Sequence, residues 1–205
     1  MRRQIFAESR GIMNILKGDQ VMNKYAFIQN VPGLSVQPYE LSFDDGEWLS
    51  HVAGFDGIDK CMDYAKKLIA DGYSMINFCG DFGPEQIAEL KKDAPESTEI
   101  RFAAYLPEEE DKLNALDQYI QYGQIIFGGV DEPKRFDLDA PEMVTHTVFI
   151  KDLDQAVETA KKLAAEGMDG IELCGSFDLD MTKAVIAAVE SVNPKIPVGS
   201  NGIDV

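Results

Sequence analysis

The chain has 205 residues, a mass of 22.7 kDa and 45% hydrophobic residues, which is enough to bury one sizeable core or two smaller ones. Acidic residues outnumber basic residues by 36 to 19, and the net charge of −17 argues against nucleic acid and anionic membrane surfaces as partners. No apolar run approaches the roughly 20 residues of a membrane-spanning helix. We therefore expect a globular protein that binds neither nucleic acid nor membranes.

The N-terminal segment differs from the acidic remainder, because residues 1–21 contain four basic and two acidic side chains. The apolar stretch that starts at Ile5 ends before Glu8, which is too short for the hydrophobic region of a secretory signal peptide. We expect residues 1–21 to be a disordered tail, or to precede a natural translation start at Met22. Without a secretion signal, the three cysteines predict reduced thiols and a cytoplasmic location. They are Cys61, Cys79 and Cys174.

The chain is similar to itself at a shift of 95 residues. Residues 58–82 and 153–177 are identical at 11 of 25 aligned positions, and the only two histidines, His51 and His146, also coincide. Self-similarity over this length indicates an internal duplication. The sequence therefore predicts a tail and two similar repeats, which span residues 1–21, 22–118 and 119–205.

Each repeat has the same pattern of predicted elements, β-β-α-β-α-β. The first helix of the second repeat has an apolar stripe that includes Leu153, Val157 and Ala160, and Gly167 marks its end. Strand–helix–strand units favour parallel pairing. The predicted fold is α/β with mostly parallel sheets, and the repeats pack with pseudo-twofold symmetry. Ferredoxin-like α+β repeats are the alternative. Pro107, followed by three glutamates, indicates a further helix with a solvated acidic face.

The two repeats resemble a small family of bacterial and archaeal single-domain proteins, domain of unknown function 6506. The resemblance covers residues 23–205 in two copies and implies no established activity. Two departures indicate that the copies are no longer equivalent, because Asn77 replaces a glutamate and the usual glycine after Phe177 is missing. The motifs that carry the resemblance are Lys24–Ile28, Val31–Gly33, Asp71–Gly72, Ile76–Glu85, Glu166–Gly167 and Ile171–Phe177.

A Cys-Gly pair follows a predicted buried strand in each repeat. Ligands of open α/β sheets collect where parallel strands end and helices begin. We therefore expect ligand contacts at the ends of these strands, from Cys79, Gly80, Gly175 and Ser176. We expect a further contact from His51. A helix N-terminus lowers a thiol pKa, whereas nearby carboxylates raise it. The alternative is that both cysteines are small buried core residues.

Three residues of the second repeat are candidates for catalysis. His146 precedes Cys174 by 28 residues, and a Cys–His pair supports nucleophilic chemistry. Glu172 lies on a predicted buried strand, where its carboxylate needs a partner or a raised pKa, and this makes it a candidate acid or base. Asn77 is the uncharged counterpart in the first repeat. A hydrogen-bonded histidine with a structural role is the alternative for both histidines.

The spacing of these residues matches no compact metal motif, and neither a dinucleotide fingerprint nor a P-loop is present, so we expect no metal and no cofactor. Gly199–Gly202 follows the last predicted strand and forms either a ligand contact or a terminal turn. Tyr105 and Tyr122 are interpreted as packing residues. Aromatic side chains of this kind more often fill a core than bind a ligand.

Three functional hypotheses follow from these patterns. The favoured one is a small-molecule-binding domain, with a pocket at the C-terminal ends of the strands near the Cys-Gly pairs. The second is a small-molecule lyase or isomerase that uses Cys174, Glu172 and His146. The third is a structural or interaction module without a pocket. The expected assembly is a monomer with an internal pseudo-dimer, or a homodimer.

Overall fold

The computed structural model describes residues 23–203 except 36–37, 45, 47 and 129, so the expected tail and the start at Met22 lie outside the described residues. No helix in the described part of the chain is long and apolar enough to cross a membrane. The described helices are α1 (Ile58–Ala70), α2 (Pro84–Lys91), α3 (Pro107–Asn114), α4 (Leu153–Glu166) and α5 (Leu179–Glu190).

The first repeat forms a five-stranded sheet in the spatial order β2-β3-β1-β4-β5. Strand β2 pairs antiparallel with β3, and the other three pairs of neighbours are parallel. The strands are β1 (Asn23–Asn30), β2 (Tyr39–Asp44), β3 (Trp48–Phe55), β4 (Met75–Phe78) and β5 (Glu99–Phe102).

The second repeat forms most of a six-stranded sheet in the order β6-β11-β10-β7-β9-β8. The edge strands β6 and β8 are antiparallel to their neighbours, and the strands between them are parallel. The strands are β6 (Ala104–Tyr105), β7 (Gln121–Phe127), β8 (Lys134–Asp139), β9 (Val144–Ile150), β10 (Gly170–Cys174) and β11 (Val198–Ser200).

The predicted α/β class with mostly parallel sheets and two similar repeats is confirmed. Ferredoxin-like repeats are not formed, because three of the four strand pairs in the first sheet are parallel. The structure adds the edge strands β2 and β8, which the predicted β-β-α-β-α-β pattern does not contain. Both strands alternate between exposed and half-buried positions and carry several charged residues, so their periodicity is masked by polarity.

Local sequence explains where the helices begin and end. The Asp152 carboxylate accepts a hydrogen bond of 2.9 Å from the Gln155 N–H at the start of α4, and Asp178 does the same for Met181 at the start of α5. These side chains satisfy backbone donors that the first helical turn leaves unpaired. Gly167, with φ of 87°, ends α4 in the left-handed conformation that favours glycine.

The two sheets pack against each other through the faces that lack helices. Along β7, Ile125 belongs to a core beneath α4 and α5, whereas Tyr122 and Ile126 belong to a core shared with the first repeat. This division follows strand alternation, which directs successive side chains to opposite faces. The Gln124 amide nitrogen also donates a hydrogen bond of 2.6 Å to the Gln29 side-chain oxygen across the interface.

Strand registers identify which residues of the two repeats are equivalent. Tyr25 and Tyr122 occupy the same register position, next to Met75 and Gly170, respectively. Tyr25 lies close enough to Cys174 for the two groups to interact electrostatically, and Tyr122 has the same relation to Cys79. Such reciprocal contacts between equivalent residues are typical of twofold arrangements.

The last part of the first repeat, which connects it to the second repeat, crosses to the second sheet. Strand β6 pairs with β11 at its edge, and α3 follows directly. Glu109 of α3 is buried, and its carboxylate accepts a hydrogen bond of 2.8 Å from the Val198 N–H and another from Lys112. The prediction of a wholly solvated acidic face was therefore wrong at Glu109, because this carboxylate satisfies a backbone donor of β11.

Removing a side chain from the shared core should unfold both repeats together. Phe149 is fully buried, and its ring centroid lies 4.6 Å from that of Phe43 in the first repeat. We expect Phe149→Ala to cost about 3–5 kcal/mol, because a buried phenylalanine leaves a cavity. Urea unfolding should be followed by circular dichroism and by fluorescence of Trp48, the only tryptophan, which lies in the first repeat.

Both signals should shift to the same lower midpoint in Phe149→Ala. Leu179→Ala is the control, because Leu179 is 41% exposed and its truncation should change stability by no more than about 0.5 kcal/mol. An unchanged fluorescence midpoint, with a second transition in the circular dichroism signal, would show that the repeats unfold independently.

Candidate functional site

A cavity of about 470 Å³ lies where the ends of β1 and β4 meet the face of the second sheet. Its volume falls within the range of small-molecule sites, roughly 300–1,000 Å³. We call it the Glu172 pocket. It is lined by Asn30, Pro32, Cys79, Gly80, Asp81, Tyr105, Leu113, Leu116, Gln118, Tyr119, Tyr122, Glu142, Met143 and Glu172.

Glu172 is the central polar group of this pocket and is 3% exposed. Its Oε1 accepts hydrogen bonds from the Gly80 N–H at 3.0 Å and from the Tyr105 hydroxyl at 2.8 Å. Its Oε2 accepts a hydrogen bond from the Tyr122 hydroxyl. Three donors from the two repeats and their connecting strand thus converge on one carboxylate, which compensates part of the cost of burying it.

Two strand glycines make room for the tyrosine rings. Tyr105 pairs with Gly199, and Gly199 pairs with Glu172, so these residues form one row across three strands. A Cβ atom at Gly199 would lie 2.6 Å from the Tyr105 ring, and one at Gly170 would lie 2.5 Å from the Tyr119 ring. Gly199, which was predicted to contact a ligand or lie in a turn, therefore lets Tyr105 reach Glu172.

The electrostatics of the pocket make Glu172 titrate near neutral pH. Burial raises the pKa of Glu172 to about 7, against the lowering effect of hydrogen bonds from Tyr122, Tyr105 and Gly80. Asp81 adds to the rise through charge repulsion. Burial and the Glu172 charge raise the pKa of each of the two tyrosine hydroxyls well above its ordinary value, so they remain hydrogen-bond donors.

The loop after β4 is held by the end of β1. The Asn30 side-chain amide donates a hydrogen bond of 2.9 Å to Asp81, and its carbonyl oxygen accepts one of 2.9 Å from the Gly57 N–H. The Asn30 N–H also donates to the Cys79 sulfur at 3.4 Å. Burial, followed by the charges of Glu172 and Asp81, raises the pKa of Cys79 well above its ordinary value. The thiol is therefore protonated at neutral pH, although a helix begins nearby.

A second cavity is built from the equivalent positions of the two repeats. It is smaller, about 190 Å³, and has no carboxylate among its described lining residues. It contains the predicted ligand-binding residues Gly175 and Ser176, which correspond to Gly80 and Asp81. Its lining is Tyr25, Trp48, Ser50, Met75, Phe127, Gly128, Gly175 and Ser176. The Tyr25 hydroxyl and the Asn77 side-chain oxygen, counterparts of groups on Tyr122 and Glu172, are buried without a hydrogen-bond partner.

Neither histidine reaches the Glu172 pocket. His146 is in register with Gly123 and Ile171, and Ile171 packs beneath the helices, on the face opposite Glu172. The His146 ring contacts Asp137 at 2.8 Å and Gln121 at 3.0 Å. His51 has the equivalent place in the first sheet, where its ring contacts Ser42 and Tyr64. Both rings are thus engaged by neighbouring side chains.

The predicted catalytic trio does not assemble. Cys174 shares a strand face with Glu172 and is fully buried, while His146 points to the other side of the sheet. Burial, followed by the charges of Glu172 and Cys79, raises the pKa of Cys174 well above its ordinary value. A thiol that stays protonated is a poor nucleophile. Of the predicted site residues, the structure brings together Glu172, Cys79 and Gly80.

The sequence did not identify the tyrosines as site residues. Tyr105 and Tyr122 were interpreted as packing residues, yet both donate hydrogen bonds to Glu172. Tyr119 also lines the pocket and lies beside Tyr105. Its hydroxyl is buried and has no hydrogen-bond partner among the described residues. Strand register could have suggested Tyr122, because it lies on the neighbouring strand and on the same face as Glu172. Tyr105 lies on a strand of two residues, which is too short to show a periodic pattern in the sequence.

No group of three or more His, Cys, Asp or Glu side chains among the described residues is arranged to hold a metal ion. The fold and the two unequal cavities are those of a duplicated α/β protein. The chain belongs to the DUF6506 family, a family of unknown function, whose pattern it matches twice, over residues 23–118 and 121–204. No curated protein matches it in sequence.

Similar solved structures include sugar-binding proteins of transporters. A carbohydrate transporter from Acidothermus cellulolyticus in complex with myo-inositol has 9% identity and a TM-score of 0.29, over 87% of this chain and 73% of that chain. A periplasmic solute-binding protein from Actinobacillus succinogenes with bound D-allose has 10% identity and a TM-score of 0.28, over 86% and 76%. Scores this low give no information about the ligand of this chain.

Glu172 should make the protein less stable as the pH rises towards neutrality. Its pKa is about 7 when folded, compared with 4.5 for an ordinary glutamate, so the folded state binds more protons than the unfolded state between these values. Stability should therefore fall as pH rises through this window, by at most on the order of 3 kcal/mol, and this group should add no further change above about pH 8.

Urea unfolding of the wild type and Glu172→Gln at several pH values measures this effect. The free energy of unfolding of the wild type should fall relative to that of the variant between about pH 5 and pH 7.5. Parallel pH profiles for the two proteins would contradict a raised Glu172 pKa, because the variant has no carboxyl group at this position.

Proposed function

We propose that this protein binds a small molecule in the Glu172 pocket. The observation that carries the proposal is the convergence of three hydrogen-bond donors on a buried carboxylate at the wall of a cavity of suitable size. Ligand sites characteristically combine an apolar lining with a few precisely placed polar groups. The pocket has this composition, since Leu113, Leu116 and Met143 line it together with the polar groups.

The position of the pocket in the fold supports the same proposal. Asn30 and Cys79 lie at the C-terminal ends of the parallel strands β1 and β4, where open α/β sheets bind ligands. The three described cysteines are free, which suits a reducing compartment such as the cytoplasm. The proposed active form is a monomer with an internal pseudo-dimer, because residues from both repeats build the Glu172 pocket.

One observation favours an enzyme as the second candidate. A carboxylic acid with a pKa near 7 exchanges protons efficiently at neutral pH, as a general base or acid must. Such an enzyme would use Glu172 for proton transfer, without His146. Hydrogen–deuterium exchange at carbon, followed by proton NMR on each compound that binds, tests this. Exchange that occurs with the wild type and is lost in Glu172→Gln supports catalysis. If no bound compound exchanges, the enzyme hypothesis is wrong and only the proposal of binding remains.

The chain offers a matched pair of variants to test the binding site. Tyr122→Phe removes a donor to Glu172, whereas Tyr25→Phe removes the equivalent hydroxyl, which has no hydrogen-bond partner. A thermal-shift screen of cationic, neutral and anionic metabolites should find compounds that raise the melting temperature of the wild type. Their dissociation constants should rise on the order of tenfold in Tyr122→Phe, because Glu172 loses a hydrogen bond that holds its carboxylate in position and favours its ionised form.

Tyr25→Phe should retain wild-type affinity for the same compounds. Equal weakening in both variants would place the binding site elsewhere or attribute the effect to general destabilisation. If no compound of any class raises the melting temperature, the pocket is not a ligand site, and the structural or interaction module becomes the better hypothesis.

A further inference from the structure

The charged lining of the Glu172 pocket is entirely acidic. Asp81, Glu142 and Glu172 contribute carboxyl groups, and none of the described lining residues is Lys, Arg or His. An anionic ligand would meet like charges and would lose its hydration without gaining a cationic partner, which is strongly unfavourable. The net charge of −17 adds a long-range field that attracts cations and repels anions.

Three tyrosine side chains lie in the wall of the same pocket. Tyr105, Tyr119 and Tyr122 line the pocket, and the ring centroids of Tyr119 and Tyr122 lie 5.8 Å apart with their planes inclined at 47°. The face of an aromatic ring carries negative electrostatic potential and attracts ammonium and guanidinium groups. Tyrosine faces beside carboxylates are therefore a favourable environment for an organic cation.

Glu172 retains acceptor capacity for such a ligand. A carboxylate offers about four lone-pair positions, and three protein donors use three of them. Among the described residues, Tyr122 alone donates to Oε2, so one position on this atom is available to a donor in the cavity. A cation placed there would also compensate the buried negative charge, which the three neutral donors stabilise only in part.

The second cavity shows which residues occupy the positions equivalent to the polar groups of the Glu172 pocket. The equivalents of Asn30 and Asp81 in the second repeat are Phe127 and Ser176, and the equivalent of Glu172 in the first repeat is Asn77. The same backbone framework therefore forms without these carboxylates, so the fold does not require them. Their presence at one cavity alone indicates that they serve a ligand there.

We propose that the Glu172 pocket binds an organic cation that carries an ammonium or guanidinium group, with Glu172 as its counter-ion. This inference rests on the proposed small-molecule function and specifies its ligand class. A cation stabilises the ionised carboxylate, so binding below neutral pH should release a proton from Glu172. The other titratable groups that interact with Glu172 or line its pocket are Asp81, Glu142, Cys79, Cys174, Tyr105, Tyr119 and Tyr122.

Isothermal titration calorimetry with isosteric probes tests the charge preference directly. Choline is compared with its neutral carbon isostere dimethylbutanol, and butylamine with butanol and butyrate. We expect choline or butylamine to bind at least about tenfold more tightly than its neutral isostere, and butyrate not to bind. Titrations at about pH 6 in buffers of different ionisation enthalpy should reveal proton release, which should disappear at about pH 8.

Two variants with the same chemical change control the experiment. Glu172→Gln should weaken cation binding at least about tenfold and abolish the proton release. Glu158→Gln removes a carboxylate of the same repeat whose side chain is 64% exposed. It should change neither the affinity for the cation nor the proton release. An equal effect of the two substitutions would mean that net charge, rather than the pocket, attracts the cation.

The outcomes separate this inference from the proposed function. Cation-selective binding that depends on Glu172 and releases a proton supports both. The inference of a cation is wrong if the neutral or anionic probes bind and Tyr122→Phe weakens their binding. It is also wrong if the metabolite screen finds only neutral or anionic compounds whose binding Tyr122→Phe weakens. In either case the pocket is still a ligand site. If no compound of any charge binds, the proposed function fails and the inference fails with it.

Discussion

The candidate site depends on the burial of one carboxylate, that of Glu172. It accepts hydrogen bonds from the Gly80 loop of the first repeat, from Tyr105 on the connecting strand and from Tyr122 of the second repeat. A buried charge without donors would be very costly, so each of these segments has to be in place for Glu172 to remain where it is. The shape of the pocket follows from this requirement.

Duplication explains how one chain came to have two different cavities. The strand faces that meet between the sheets come from both repeats, so each cavity is built from equivalent positions. One cavity has gained or kept Asp81 and Glu172, and the other has Ser176 and Asn77 in their places. Fusion of two copies into one chain allows such divergence, which the identical subunits of a homodimer cannot achieve.

The sequence was sufficient to predict the repeats, the parallel α/β class and the ends of the helices at glycines. It also named Glu172, Cys79 and Gly80 as candidate site residues, but it did not predict that they lie together. These features depend on local periodicity, turn chemistry and the cost of a carboxylate on a buried strand. It could not predict that β6 crosses to the second sheet, because two residues carry no periodic signal. It also grouped His146 with Glu172, although strand register places them on opposite faces.

Glu172 is a buried carboxyl group that changes its charge near neutral pH. NMR titration of the side-chain carboxyl carbons of glutamate measures this directly. One resonance should titrate at about pH 7, above the 4.5 of an ordinary glutamate, and be absent from the spectrum of Glu172→Gln. If every glutamate resonance completes its titration below about pH 6, Glu172 is an ordinary carboxylate and the account of the pocket is wrong.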